Sequence, residues 1–277
     1  TFYGTANSNQ MLMEVMGLHL PGAAFVHPHD DLRHALTVAA TQHVVELSRQ
    51  KDAAKPIGEM LDERSFVNAI VGLHATGGST NHTLHLPAMA AAAGINLTWQ
   101  DFADLSEVTP LLARVYPNGS ADVNHFHAAG GMGFVIAELL KNGLLDGSAK
   151  TVSGDNLHDY ASEPFLDGGD LVWRPAPKVS GDTDILRPAT DPHSVNGGLK
   201  MLDGNLGKAV IKTSAVAETR HVISAPAAIF TTEAEVEVAY QAGDLNRDVV
   251  VVLRCQGPMA TGMPELHSLT PLLGNLQ

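Results

Sequence analysis

Five prolines between residues 164 and 198 (Pro164, Pro175, Pro177, Pro188 and Pro192), set among many glycines, divide the chain into halves with different hydrophobic periods. Proline fixes φ and removes a backbone donor, so neither a long helix nor a central strand is expected there. The stretch reads as a linker or irregular crossover. Ahead of it the apolar residues recur at helical spacing. Met11, Leu12, Val15 and Met16 form one stripe, closed by Gly17. A second helix runs from Asp30 or Asp31 to Ser48, with Leu32, Leu36, Ala39, Ala40 and Val44 as its apolar face. Asp62 starts a third, through Phe66, Ile70 and Leu73, and Thr83–Ala93 a fourth, in which Pro87 predicts a kink or late start. Thr98 and Asp101 have the spacing of a capping box, and Gly131–Leu145 is again helical; Ala23–Val26 reads as a short strand. Beyond the prolines come short β-like runs, Ala209–Lys212, His221–Ile223, Ala227–Phe230 and Val249–Leu253, with one helix near Thr232–Gln241. The expected organisation is α/β, a helix-rich domain over 1–190 and a β-rich one over 191–277.

The 277 residues are 44% hydrophobic and 17% charged, enough apolar material for packed cores and unlike a disordered chain. The net charge of −13 argues against nucleic acid or an anionic membrane as partner, both of which require clustered Lys and Arg. An anionic substrate would need a locally positive site against that global field. One cysteine, Cys255, excludes an internal disulfide framework and fits a reducing cytoplasm; its strand position reads as a buried, inert thiol. No apolar run reaches the roughly 18 residues of a membrane span, and no signal peptide is evident. Thr1 in place of an initiator Met, and an end without a tapering tail, read as a partial chain.

Chemistry concentrates in the loops. Gly77-Gly78-Ser79-Thr80-Asn81-His82 lies between two helical segments. Its glycines permit a tight turn and close approach of a ligand, while Ser79, Thr80 and Asn81 can cap the next helix or offer hydroxyl and amide groups to an anion. Asn118 to Gly131 is polar, then glycine-rich, then helical, an order suited to an anion at a helix N-terminus or simply to a turn. Among 14 histidines, three pairs (His27/His29, His82/His85, His125/His127) have metal-ligand spacing, but no third ligand completes a zinc set. His82, His125 and His127 are better read as polar groups near an anionic substrate. Glu265, after a Gly-Met-Pro turn, is either a solvated carboxylate or a ligand for a hard cation such as Mg²⁺.

The words TANSNQ, LHATGGSTNHTLHL, YPNGSADVNHFHAAGG, GGLKMLDGNLG and QGPMATGMPELHSLTP occur in that order over nearly the whole chain. With them the chain resembles the central part of the iron–sulfur dihydroxy-acid and sugar-acid dehydratases, leaning through NHFHAAGG and GMPELHSLTP toward members acting on a sugar-acid phosphate. The resemblance implies a hydro-lyase in a homodimer, carrying a 4Fe–4S cluster and Mg²⁺, with Gly78, Ser79, Thr80, Asn81, His82, His125 and His127 as substrate-binding residues and Glu265 as a Mg²⁺ ligand. It implies an incomplete cluster-binding α/β domain, then the first part of a β-barrel-like domain. Gly77–Asn81 and Glu265 would line one cleft. It also implies cluster cysteines upstream, the last directly preceding Thr1, and a catalytic base beyond Gln277. The 277 residues alone are therefore expected to be inactive. The competing readings are a dehydratase of an unphosphorylated sugar acid or dihydroxy acid, a zinc- or magnesium-dependent hydrolase built on the histidine pairs, and a non-catalytic sugar-acid-binding module.

Overall fold

The computed structural model describes residues 3–50, 56–257, 260 and 268–276. The chain divides into two compact units, Thr1–Ala217 and Glu218–Gln277.

In the first unit, helices α1 (Thr5–Val15), α4 (Glu63–Thr76) and α8 (Gly131–Lys141) form the centre. Met11, Leu12, Val15, Phe66, Ile70, Leu73, Phe134, Ile136 and Leu139 meet in one buried cluster. Gly72 lets α1 approach α4: a Cβ there would stand 3.0 Å from Met11 Sδ and 3.2 Å from a Val15 methyl. Helix α4 starts where expected, because the Asp62 carboxylate accepts the backbone N–H groups of Arg64 and Ser65.

Helix α2 (Asp31–Arg49) is present, but its predicted stripe is not buried: only Leu36 is fully covered, and Val44 is 64% exposed. The expected strand Ala23–Val26 is also absent. The segment is buried as turns, since side chains take its backbone groups before a ladder can. Glu14 accepts from the N–H groups of Gly22 and Ala24, both at 2.8 Å, and Arg33 donates to the carbonyls of Ala23 and Val26.

After the short α3 (Ile57–Met60), α5 (His82–Ala92) contains Pro87 without ending there. Proline cannot bond the carbonyl one turn back; that carbonyl, on Thr83, accepts instead from Trp99 Nε1 at 2.9 Å. Trp99 opens α6 (Trp99–Val108), whose capping box forms as predicted, Thr98 N–H donating to Asp101 Oδ2 at 2.7 Å. Helix α7 (Val123–Ala128) leads into α8.

The proline-rich stretch is more ordered than a linker. Strands β1 (Ser162–Asp167) and β2 (Asp170–Pro175) form an antiparallel hairpin with Pro164 opposite Trp173. Gly168 and Gly169 turn it at φ 60° and 101°, as a two-residue hairpin turn demands. A second hairpin, β3 (Leu199–Gly204) and β4 (Gly207–Lys212), is fixed to α6, where Ser106 Oγ donates to the Leu199 carbonyl at 2.6 Å.

The second unit is built on a βαβ crossover. Strand β5 (Ala227–Phe230), helix α9 (Glu233–Gln241) and strand β6 (Val250–Leu253) place two parallel strands side by side. Helix α10 (Leu269–Gly274) adds Leu269 to a small core with Val236, Ala239 and Leu245. His221–Ile223 is not a strand, and Val222 is 90% exposed. Cys255 follows β6 and is exposed at φ 62°, not buried. Among the described residues the architecture is mixed helix with three two-stranded sheets, and no closed barrel forms.

Candidate functional site

Gly77 ends α4 in the left-handed region (φ 61°, ψ 44°), where glycine carries no steric penalty. The space is already taken: a Cβ on Gly77 would lie 2.3 Å from Asn118 Nδ2, and one on Gly78 2.5 Å from Leu73 Cδ1 and 3.1 Å from Ser8 Cβ. Behind the turn, His74 is fully buried, its Nε2 donating to the Phe102 carbonyl at 2.9 Å. Burial lowers its imidazole to about 4.

The loop that follows is joined to the start of α1. Thr5 Oγ1 lies 3.0 Å from Ser79 Oγ and accepts from Asn81 Nδ2 at 2.7 Å. The Asn81 N–H donates to Ser79 Oγ at 3.2 Å. Ser8 is the centre of the junction: its hydroxyl donates to the Gly4 carbonyl at 2.8 Å and accepts the Ser79 N–H at 3.2 Å. With its proton committed, Ser8 Oγ can meet His82 Nε2, 2.9 Å away, only as an acceptor, so Nε2 carries the His82 proton. The other ring nitrogen, Nδ1, is buried without a partner. Burial, reinforced by repulsion from His85, lowers His82 to about 4, so it is neutral at physiological pH. Just above, Tyr3 Oη and Thr76 Oγ1 pair at 2.9 Å, and burial raises the phenol well beyond its ordinary range.

Gly78 to His82 thus meet Thr5 and Ser8 in one place. His82 is 1% exposed and serves from beneath, whereas Ser79, Thr80, Asn81 and Thr5 are half-buried and form the outer edge. That edge is neutral, made of hydroxyls and an amide. From the far side, Asn118 Nδ2 donates to the Gly77 carbonyl at 2.8 Å, and Ser214 Oγ, just beyond β4, donates to Asn118 Oδ1 at 3.0 Å. Burial lowers the neighbouring Lys212 ammonium to about 8.

His125 and His127 sit elsewhere, on α7, and among the described residues no hydrogen bond ties either to the Gly77–His82 loop. His125 is exposed and engaged with its helix cap, 2.9 Å from Asp122 Oδ1. His127 lines a cavity of about 170 Å³ with Gly130–Gly133 at the start of α8, Glu14, Glu163 and Arg174. A larger cavity, about 680 Å³, opens between α2 and β2 and contains none of the expected site residues.

The histidine pairs stay pairs. The rings of His82/His85 and of His27/His29 are each 5.5 Å apart, and no group of three His, Cys, Asp or Glu able to hold a metal occurs among the described residues. Glu265 lies outside the described residues. The sequence reading missed Thr5, Ser8 and Ser214 as site residues, and named Asn118 only as the start of a stretch suited to an anion or a turn. Thr5 and Ser8 fall within the TANSNQ word, and Asn118 within YPNGSADVNHFHAAGG, but nothing local distinguishes them from turn or helix-start residues.

The chain belongs to the dihydroxy-acid/6-phosphogluconate dehydratase family: residues 1–160 match the model of its N-terminal part and residues 184–277 that of its C-terminal part. Dehydratases of this family generally use a metal or iron–sulfur cofactor. The chain is 60% identical to the phosphogluconate dehydratase of Rhizobium meliloti (strain 1021) and 55% identical to that of Escherichia coli (strain K12), in each case over 100% of this chain and 46% of the relative. It is 35% identical to the dihydroxy-acid dehydratase of Nitratidesulfovibrio vulgaris, over 98% of this chain and 47% of the relative. The chain therefore spans about half the length of the curated relatives it matches. No helix among the described residues is long and apolar enough to cross a membrane.

Proposed function

We propose that these residues are the central portion of a phosphogluconate dehydratase, which removes water from 6-phospho-D-gluconate to give 2-dehydro-3-deoxy-6-phosphogluconate in the Entner–Doudoroff pathway. The observation that carries this reading is the junction of the α1 start with the Gly77–His82 loop, in a chain 55–60% identical to enzymes of that name. The reaction takes a proton from C2 and a hydroxyl from C3, and the resulting enol tautomerises to the keto acid. A polyol chain needs neutral partners that accept and donate hydrogen bonds, which is the chemistry of Thr5, Ser79, Thr80 and Asn81. In this reading those residues hold the substrate hydroxyls and fix the sugar chain, and buried, neutral His82 keeps Ser8 and hence the edge in place.

We further propose that the whole protein, a cytoplasmic homodimer, carries a 4Fe–4S cluster and Mg²⁺, with Glu265 as one Mg²⁺ ligand. The described residues do not fit a cluster. Their single cysteine is exposed, and they hold no three-ligand group. His125 and His127 are proposed as outer contacts for the substrate.

The test is an assay of the full-length protein for 2-keto-3-deoxy acid formed from 6-phosphogluconate, gluconate and 2,3-dihydroxyisovalerate. Preference for 6-phosphogluconate is expected. Preference for either of the others transfers the assignment to that substrate, and binding without turnover of any leaves a sugar-acid-binding module.

A further inference from the structure

An acidic protein that binds a substrate carrying both a phosphate and a carboxylate needs positive charge or hydrogen-bond donors where the substrate lies. Several cations of the first unit are neutralised by a neighbour. Arg64 pairs with Asp62, Arg174 with Glu163 and Lys200 with Glu107, each at 2.5 Å, and Lys141 with Glu138 at 3.3 Å.

Lys212 is different. It stands opposite Leu199 in the β3–β4 ladder, so the two side chains share a face of the hairpin. Leu199 is 2% exposed and belongs to the main core, which makes this the face turned toward the body of the unit. An aliphatic residue would satisfy that position, and the chain places an ammonium there. Among the described residues it has no carboxylate partner and no hydrogen bond; burial alone perturbs it. Lys212 is half-buried, and a partly desolvated charge without a partner costs stability that a bound anion would offset.

The position is tied to the candidate site. Immediately after Lys212, Thr213 Oγ1 donates to the Gly198 carbonyl at 3.1 Å, and Ser214 Oγ donates to Asn118, whose amide holds Gly77. A Cβ on Gly198 would come 2.2 Å from Ser214 Oγ, so the strand end and the glycine pair are in close contact. The end of β4 is thus two side-chain hydrogen bonds from the loop.

We propose that Lys212 supplies the cationic contact for an oxyanion, phosphate or carboxylate, of a substrate held against the Gly77–Asn81 loop. The assignment rests on the dehydratase reading above. A charge-assisted contact contributes enough that its loss weakens binding roughly 10- to 100-fold.

In the full-length enzyme, Lys212→Met is expected to raise KM for 6-phosphogluconate by a factor in that range with a smaller change in kcat, and Lys212→Arg to restore most of it. Gluconate separates the two oxyanions: a KM for gluconate that Lys212→Met leaves unchanged assigns the contact to phosphate, and one that rises in parallel assigns it to carboxylate. An unchanged KM for 6-phosphogluconate in Lys212→Met overturns the proposal, as does an Arg variant as impaired as Met with a matching loss of Tm. If the wild type turns over none of the sugar acids, the dehydratase reading fails separately. Acetylation of Lys212 in the wild type, followed by mass spectrometry with and without inorganic phosphate or gluconate, still decides the anion site: protection by either supports it and equal labelling with both overturns it.

Discussion

Two paired-glycine junctions in the first unit use the same sequence device to different ends. At Gly77-Gly78 the left-handed residue ends a helix, and the space beside it is filled by Asn118, Leu73 and Ser8. The surrounding polar groups are neutral and, apart from His82 Nδ1, mutually bonded. At Gly130-Gly131 the glycines start a helix, with φ 137° and 57°, and open onto the 170 Å³ cavity that holds Glu14, Glu163 and Arg174. Both motifs read from sequence as anion sites at helix ends. The structure separates a packed, uncharged edge from a cavity in which Glu163 is paired with Arg174 and burial holds Glu14 toward its protonated form.

The largest expected effect breaks the first junction. Gly77→Ala both forces an L-residue to φ 61° and drives Cβ against the Asn118 amide. Strain of about 1 kcal/mol adds to a steric displacement of about 1–3 kcal/mol. A loss of about 3 kcal/mol in denaturant unfolding of the full-length protein is expected. The variant should also lose activity, because Asn118 cannot move without releasing the Gly77 carbonyl and Ser214. A loss below about 1 kcal/mol would mean that the Asn118 contact is not a constraint.

The junctions should also respond to pH with opposite sign. His82, under the first, is lowered from 6.5 to about 4, so the unfolded chain binds its proton first. Its stabilising effect is complete above pH 6.5 and is lost as pH falls toward 4. Glu14, beside the second, is raised from 4.5 to about 7, mainly by burial and against the opposing pull of the Ala24 and Gly22 amides and Arg33. Its folded form retains a proton that the unfolded form releases, so its contribution is complete below pH 4.5 and is lost as pH rises toward 7. Linkage limits each to about 3 kcal/mol. Comparing Tm against pH for wild type, His82→Gln and Glu14→Gln, the first variant should lose part of the acid-side decline and the second part of the decline toward neutrality. Parallel curves for all three would remove the electrostatic half of the contrast.

What the sequence conveyed follows from how local each signal is. The helices over residues 5–15, 31–49 and 63–76, the Thr98–Asp101 cap and the 233–241 helix were legible because period and capping lie within one or two turns. The Ala23–Val26 strand was misread because Glu14 and Arg33, which take its backbone groups, arrive from other elements. The β1–β2 hairpin was obscured by its prolines, although Gly168-Gly169 carried the turn signal. The burial of His82 and exposure of Cys255 depend on tertiary placement and leave no local trace. The Gly77–His82 loop was legible as a site by its composition. Its partners Thr5 and Ser8 lie more than 70 positions away, and only folding identifies them.

The smallest expected effect sharpens the comparison from the other side. Gly131 also sits at positive φ, 57°, but a Cβ there would meet only His127 Nδ1, at 3.1 Å, with the next ring atoms at 3.9 Å and beyond. His127 is half-buried at the edge of a cavity and can swing away, so backbone strain alone remains. Gly131→Ala should therefore cost about 1 kcal/mol, roughly a third of the Gly77 value. That ratio is the discriminating quantity, since both substitutions add the same methyl at a positive φ. Equal losses in parallel unfolding curves would mean that the cavity beside α8 is as tightly packed as the Gly77 turn. The contrast between a packed edge and an open cavity would then fail.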